Sequence, residues 1–280
     1  MEDSLYISFI IFMNIGVFDS GLGGLSILKE LIKQLPQYNY IYLGDNARVP
    51  YGGRSPEVVY EFTTQALDFL FSQNCHLVII ACNTASAAAL RKIQHDFIPQ
   101  KHPNKRVLGV IKPTAETVAE NKAKKVGVIA TYSTVKSQSF IKEITKLNPS
   151  IKIWQNPAPL LVPIIEENEL KWKGLKLILK KYLQPLLTHQ INTLVLGCTH
   201  YGLIEETIQQ MIGKKIKVIH QGKVVTQKLK EYLTKHPDLN RKLAKKSKYQ
   251  FFVTDLSPRY KKMAHFFFSK PIQIKQVHLT

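Results

Sequence analysis

Two segments of the chain open in the same way. NIGVFDSGLGG at 14–24 and KVGVIATYSTV at 125–135 each give an apolar strand with an early glycine and end it on a hydroxyl residue, Ser20 in the first and Thr131 in the second. A second apolar strand follows each and closes on a cysteine. LVIIACNTAS (77–86) reaches Cys82, 62 residues after Ser20, and TLVLGCTHYG (193–202) reaches Cys198, 67 residues after Thr131. Continuous β-branched runs such as 78–80 suit strands covered on both faces, and intervening segments such as PEVVYEFTTQALDFLFSQ (56–73) carry helical spacing. The expected fold is therefore α/β, with two pseudo-symmetric α/β domains, mainly parallel sheets and a cleft between them.

Cys82 lies at the carboxyl edge of its strand, just before an alanine-rich helix, with the cap-type residues Asn83, Thr84 and Ser86 around the join. Carboxyl edges are where α/β proteins place ligands, and a helix start favours thiolate. One such cysteine reads equally well as a buried structural residue. Two at matched positions point to a pair of thiols facing each other, whereas Cys75 falls outside the scheme and reads as packing.

Four chemistries use such a pair. A disulfide suits an oxidising compartment, which three cysteines in 280 residues do not indicate. A metal site from Cys82, Cys198 and His200 lacks the paired spacings of zinc sites. A Cys–His hydrolase leaves one matched cysteine idle. Proton exchange at carbon by two bases alone needs both, because inverting a stereocentre that bears hydrogen takes a base on one face and an acid on the other. A free thiol titrates near pH ~8.5, so it is readily set in either state. Asp19 near Cys82 and His200 near Cys198 serve as proton relays, while Ser20, Asn83, Thr84 and Thr199 offer hydroxyls and amides to an amino acid's charged groups. Asp19, Ser20, Asn83 and Thr199 also read as helix caps. DSGLGG (19–24) falls short of a phosphate fingerprint and reads as a tight turn whose backbone N–H groups suit a carboxylate.

The formal charge is +19, and its placement is uneven. Residues 1–140 carry 14 basic against 11 acidic side chains, and residues 141–280 carry 25 against 9. Lysines gather in KWKGLKLILKK (171–181), GKKIKV (213–218) and RKLAKKSK (241–248). The first of these interleaves Leu175, Leu177, Ile178 and Leu179, as an amphipathic helix with a solvated face does. No zinc-finger or RNA-recognition signature accompanies the charge. Nucleic acid is not expected as the primary partner, and a basic nucleic-acid-binding module stands as the alternative from another class. LYISFIIF (5–12) is too short to span a bilayer, and Met13 before a clean strand marks 1–12 as a dispensable extension. A cytoplasmic protein with no membrane partner is expected.

FDSGLGG (18–24), DNARVPYG (45–52), ACNTAS (81–86) and GCTHY (197–201) together resemble the glutamate racemases, cofactor-independent enzymes of the aspartate/glutamate racemase family. PLLVPIIEEN (159–168) and the ending that starts FFVTDLSPRY (251–260) resemble that family in placement, so the resemblance spans about residues 14 to 280. It implies two domains, 1–107 joined with 217–280 and 108–216, and a site between them. It makes Cys82 and Cys198 the proton donor and acceptor, with Asp19 assisting the first and Glu166 and His200 the second. Asp19, Ser20, Tyr51, Gly52, Asn83, Thr84, Thr199 and His200 become substrate contacts. Without the resemblance, residues 50–52 read as a turn and Glu166 as one acid in an acidic cluster. The implied activity interconverts L- and D-glutamate, the latter for peptidoglycan, without metal, pyridoxal phosphate or other cofactor, and a homodimer is compatible with it. A racemase of aspartate or another acidic amino acid is the nearest alternative. The chain departs from the family where KVI (217–219) is followed by His220-Gln221 in place of the usual Asp-Ser, and at Phe140, often Tyr. The first departure is expected to affect packing near the return to the first domain and not the reaction.

Overall fold

Among the described residues of the computed structural model, 13–269 and 271–279, ten strands form two sheets. The expected extension 1–12 lies outside the described residues. In chain order the strands are β1 (Asn14–Asp19), β2 (Tyr40–Gly44), β3 (Cys75–Ile80), β4 (Arg106–Gly109), β5 (Lys125–Ala130), β6 (Lys152–Pro157), β7 (Thr193–Gly197), β8 (Lys217–Ile219), β9 (Tyr249–Val253) and β10 (Ile274–Gln276). One sheet runs β10–β9–β2–β1–β3–β4 and the other β6–β5–β7–β8, with every pairing parallel. The order β2–β1–β3–β4 matches β6–β5–β7–β8, which is the pseudo-symmetry that the repeat predicts. β9 and β10 extend the first sheet beyond β2.

The repeat spacing is the sheet register. Phe18 faces Ile80 across β1 and β3, so Ser20 and Cys82, each two residues further on, emerge side by side. Ala130 faces Gly197 across β5 and β7, which brings Thr131 and Cys198 out together in the second sheet.

Helices cover the sheets with the faces their sequences prescribe. Gly24–Gln34 buries Leu25, Ile27, Leu28 and Leu31. Pro56–Ser72 starts with the Ser55 hydroxyl accepting the Val58 N–H and a proline in the first turn. Lys173–Leu187 buries Leu175, Leu179, Leu183 and Leu186, and Leu177 falls on its lysine-bearing outer face, 72% exposed. Side chains of both halves, including Ile15, Leu77, Leu161 and Leu194, share one apolar cluster, in which each fully buried leucine contributes roughly 1.5–3 kcal/mol.

Strand pairing moves both expected crossing points. β4 stays with the first sheet through Gly109, opposite Ile80. β8, expected to begin the return to the first domain, pairs with β7 and covers the outer edge of the second sheet. The crossing is made after it, by the helix Gln221–Lys235, which lies against Gly24–Gln34. No helix among the described residues is long and apolar enough to cross a membrane.

Candidate active site

Cys82 caps the helix Asn83–Ala88 with its own side chain, accepting the Ala85 N–H at 3.4 Å. Asn83, Thr84 and Ser86, read from sequence as the caps, form the first turn instead, and the Ser86 hydroxyl donates back to the Ile80 carbonyl. Ser20 Oγ lies 3.3 Å from Cys82 Sγ. Behind them Asp19 is wholly buried, with Oδ2 accepting the Gly21 N–H at 3.0 Å and Oδ1 accepting the Thr199 hydroxyl at 3.4 Å.

Burial raises the Asp19 carboxyl above its ordinary range, opposed by the His200 charge and by hydrogen bonds from Gly21, Gly24 and Thr199. Burial, followed by the Asp19 charge, pushes the Cys82 thiol up to about 12, against the smaller help of Ser20 and the Ala85 N–H. The pull of the helix start towards thiolate does not prevail at Cys82, because loss of water and a nearby acid outweigh it. Two glycines let these groups meet. A Cβ on Gly24 would lie 2.4 Å from Asp19 Cβ, and one on Gly23 would lie 2.2 Å from Thr199 Oγ1 and 2.6 Å from His200 Nδ1.

Cys198 follows β7 in extended conformation, its Sγ 3.8 Å from His200 Nδ1. His200 Nε2 lies 2.9 Å from Oε1 of Glu166, the last residue of the helix Leu161–Glu166. Burial favours the neutral ring, but hydrogen bonds to Cys198 and Glu166, with their charges, prevail and raise His200 to about 10. At neutral pH the ring is an imidazolium whose two N–H groups point at a sulfur and a carboxylate. Phe267 backs it with an edge contact, ring centroids 5.4 Å apart.

The two halves meet across this site. Thr84 Oγ1 and Thr131 Oγ1 are 3.0 Å apart, a Cβ on Gly52 would lie 3.2 Å from Thr131 Cβ, and the Ser26 hydroxyl donates to the Thr199 carbonyl at 3.1 Å. The Cys198 charge is among the influences that raise the Cys82 thiol. Cys82, Cys198, Asn83, Thr84, Thr199 and His200 are all buried. Tyr51 is buried too, and its hydroxyl donates to Asp45 Oδ2 at 2.5 Å. Asp45 also accepts from Thr254 and Arg48, so the Tyr51 hydroxyl anchors the segment 45–52.

Sequence reasoning noted Thr131 only as the end of a repeat and missed its contact with Thr84. It also missed Gln221, whose side chain reaches Asn83. The three cysteines are free, and burial raises the Cys75 thiol within β3, consistent with an inert packing residue. Among the described residues, no group of three or more His, Cys, Asp or Glu side chains is arranged to hold a metal ion.

Known proteins share this architecture. The family model described as Asp/Glu/Hydantoin racemase matches residues 15–229. A glutamate racemase of Geobacter metallireducens is 39% identical over 244 residues, 86% of this chain and 87% of that protein. One of Persephonella marina is 37% identical over 270 residues, 96% of this chain and 98% of that protein. The crystal structure of glutamate racemase from Francisella tularensis in complex with D-glutamate aligns with a TM-score of 0.85 at 35% identity, covering 95% of this chain and 97% of that one. The chain belongs to the Asp/Glu/Hydantoin racemase family and is an amino-acid racemase.

Proposed function

We propose that this enzyme interconverts L- and D-glutamate by moving the proton on Cα between Cys82 and Cys198. The observation that carries this reading is the contrast between two sulfurs set at matched strand ends of halves that touch through Thr84–Thr131 and Asp19–Thr199, with the substrate space between them. Cys82 is held as a thiol, and Cys198 stands against the His200 imidazolium. In one direction the Cys198 thiolate takes the Cα proton and leaves a planar carbanion whose charge spreads into the carboxylate. The Cys82 thiol then delivers its proton to the opposite face, inverting the centre, and the negative charge has moved from Cys198 to Cys82. The reverse reaction starts from that exchanged state, and proton exchange with solvent resets it.

Asp19 assists Cys82, while Glu166 orients His200 and keeps it charged beside Cys198. Ser20, Asn83, Thr84 and Thr199 surround the same space and hold the substrate's carboxylates and ammonium, with Tyr51 and Gly52 shaping its wall. The two sheets form the cores of two domains, and because Cys82, Cys198, Asn83, Thr84 and Thr199 are buried, the domains part to admit substrate. A relative crystallised with D-glutamate supports glutamate as the substrate. By the family resemblance, the D-glutamate formed is a component of peptidoglycan.

Each enantiomer of glutamate, aspartate and other amino acids is incubated with the enzyme in deuterated water, following Cα deuterium uptake by mass and configuration by chiral separation. The expected result is exchange coupled to inversion with glutamate, faster than with any other amino acid tested. Preference for aspartate moves the assignment to the neighbouring specificity, and inversion without solvent exchange removes the proton-transfer scheme.

A further inference from the structure

Asn83 and Gln221 are 138 residues apart in sequence and face each other amide to amide. Asn83 Nδ2 donates to Gln221 Oε1 at 2.6 Å, and Gln221 Nε2 donates back to Asn83 Oδ1 at 2.9 Å. A reciprocal pair of this kind has no inherent polarity, since turning both amides over preserves both hydrogen bonds. Thr114 breaks the tie. Its hydroxyl donates its single proton to the Val110 carbonyl at 2.7 Å, so towards Gln221 it acts as an acceptor. Gln221 Nε2 accordingly donates to Thr114 Oγ1 at 3.2 Å, which leaves Oε1 for Asn83 Nδ2. All three side chains are buried, so a reversed amide would leave a desolvated polar group unpaired.

The geometry points to Gln221 as a positioning residue: pinned by Thr114, it holds the Asn83 amide in one orientation, with its remaining N–H and remaining lone pair set for the substrate's charged groups. The inference rests on the reading of Asn83 as a substrate contact. Gln221 itself touches no reacting atom. It reaches the site from the first turn of the helix Gln221–Lys235, where the resembling family carries a serine, whose side chain is two atoms shorter. The departure at His220-Gln221 therefore extends to the site and is not confined to packing near the domain return. His220 keeps the local role of capping that helix, accepting the Lys223 N–H through Nδ1.

The test compares Asn83→Ala, Gln221→Ala and Gln221→Glu in the full-length enzyme, with folding checked by circular dichroism and kcat and KM for glutamate measured from pH 5.5 to 9. Removing the reciprocal hydrogen bonds in Gln221→Ala is expected to raise KM roughly three- to tenfold at every pH while kcat stays within about twofold. A protonated glutamate at 221 restores one donor and one acceptor towards Asn83, and its ionised form offers acceptors only. KM of Gln221→Glu is therefore expected to lie near wild type at the acid end and to rise with pH as the buried carboxyl ionises. A structural role alone gives no such pH-dependent KM. If Asn83→Ala raises KM while Gln221→Ala matches wild type, or KM of Gln221→Glu does not vary with pH, the positioning role is overturned and the substrate contact stands. Unchanged KM in Asn83→Ala removes the contact itself, and the inference with it. Should Gln221→Ala not fold, the pH series on Gln221→Glu decides alone.

Discussion

Thr84 and Thr131 meet hydroxyl to hydroxyl at 3.0 Å, the first in the helix behind Cys82 and the second capping the helix Tyr132–Ser137 after β5. The Asp19–Thr199 hydrogen bond is the counterpart on the other side. In each half, a residue at the end of the central strand reaches one lying just past the other half's cysteine. The site is consequently built from both halves at once, and the exchanged contacts close it.

Replacing either cysteine by alanine is expected to lower racemisation by about a hundred- to ten-thousandfold, the range of a lost general acid or base. The remaining cysteine still serves one face. Each variant should therefore wash deuterium into one enantiomer and not the other, with opposite preference in Cys82→Ala and Cys198→Ala. Mass spectrometry of the recovered enantiomers checks this, and equal washout of both by either variant contradicts the two-face arrangement.

His200 carries a sign-definite pH signature. Its folded-state value near 10 lies above the ordinary 6.5, so the folded protein holds a proton that the unfolded chain releases between those values. The stabilisation is present in full below about pH 6.5 and is lost as pH rises through about 10. Thermal unfolding of wild type and His200→Asn from pH 6 to 10.5 should show the difference in melting temperature shrinking with rising pH. A difference that grows over this range contradicts the imidazolium assignment.

Glu166→Gln removes the carboxylate that meets His200 Nε2 but keeps an acceptor there. The His200 imidazolium should release its proton at lower pH, and the alkaline limb of kcat should move to lower pH with it. Because Glu166 is partly exposed, the shift is expected to weaken further in high salt. A pH–rate profile at two ionic strengths measures both effects.

Gly23→Ala drives a methyl group into Thr199 and His200. The expected cost is about 1–3 kcal/mol of stability, with a fall in kcat/KM of about a hundredfold as the two side chains are displaced. Gly53→Ala is the control, because a Cβ there meets nothing within 4 Å, and its kinetics and melting temperature should match wild type.

The cysteines and the parallel α/β layout were legible because one physical fact, the register of β1 against β3 and of β5 against β7, is written along the chain as a spacing. Asp19 and His200 were legible by adjacency to the same strand ends. Less was legible where a role depends on distant partners. Tyr51 gives no hint in sequence that Asp45 takes its hydroxyl, and Gln221 gives none of its bond to Asn83. The charge state of Cys82 was left open because a helix start can be seen in sequence, whereas the burial and the opposing acid that raise its thiol are tertiary facts. β8 went to the wrong half because three residues carry too little pattern to tell one sheet edge from another.

The placement of β9 and β10 has a consequence for biogenesis. Every strand of the four-stranded sheet has left the ribosome by Ile219, while the six-stranded sheet still lacks residues 249–276. The later half of the molecule in space is thus the earlier one that synthesis can complete. Until residues 249–276 arrive, β2 presents an open edge that the nascent chain has to keep from wrong partners.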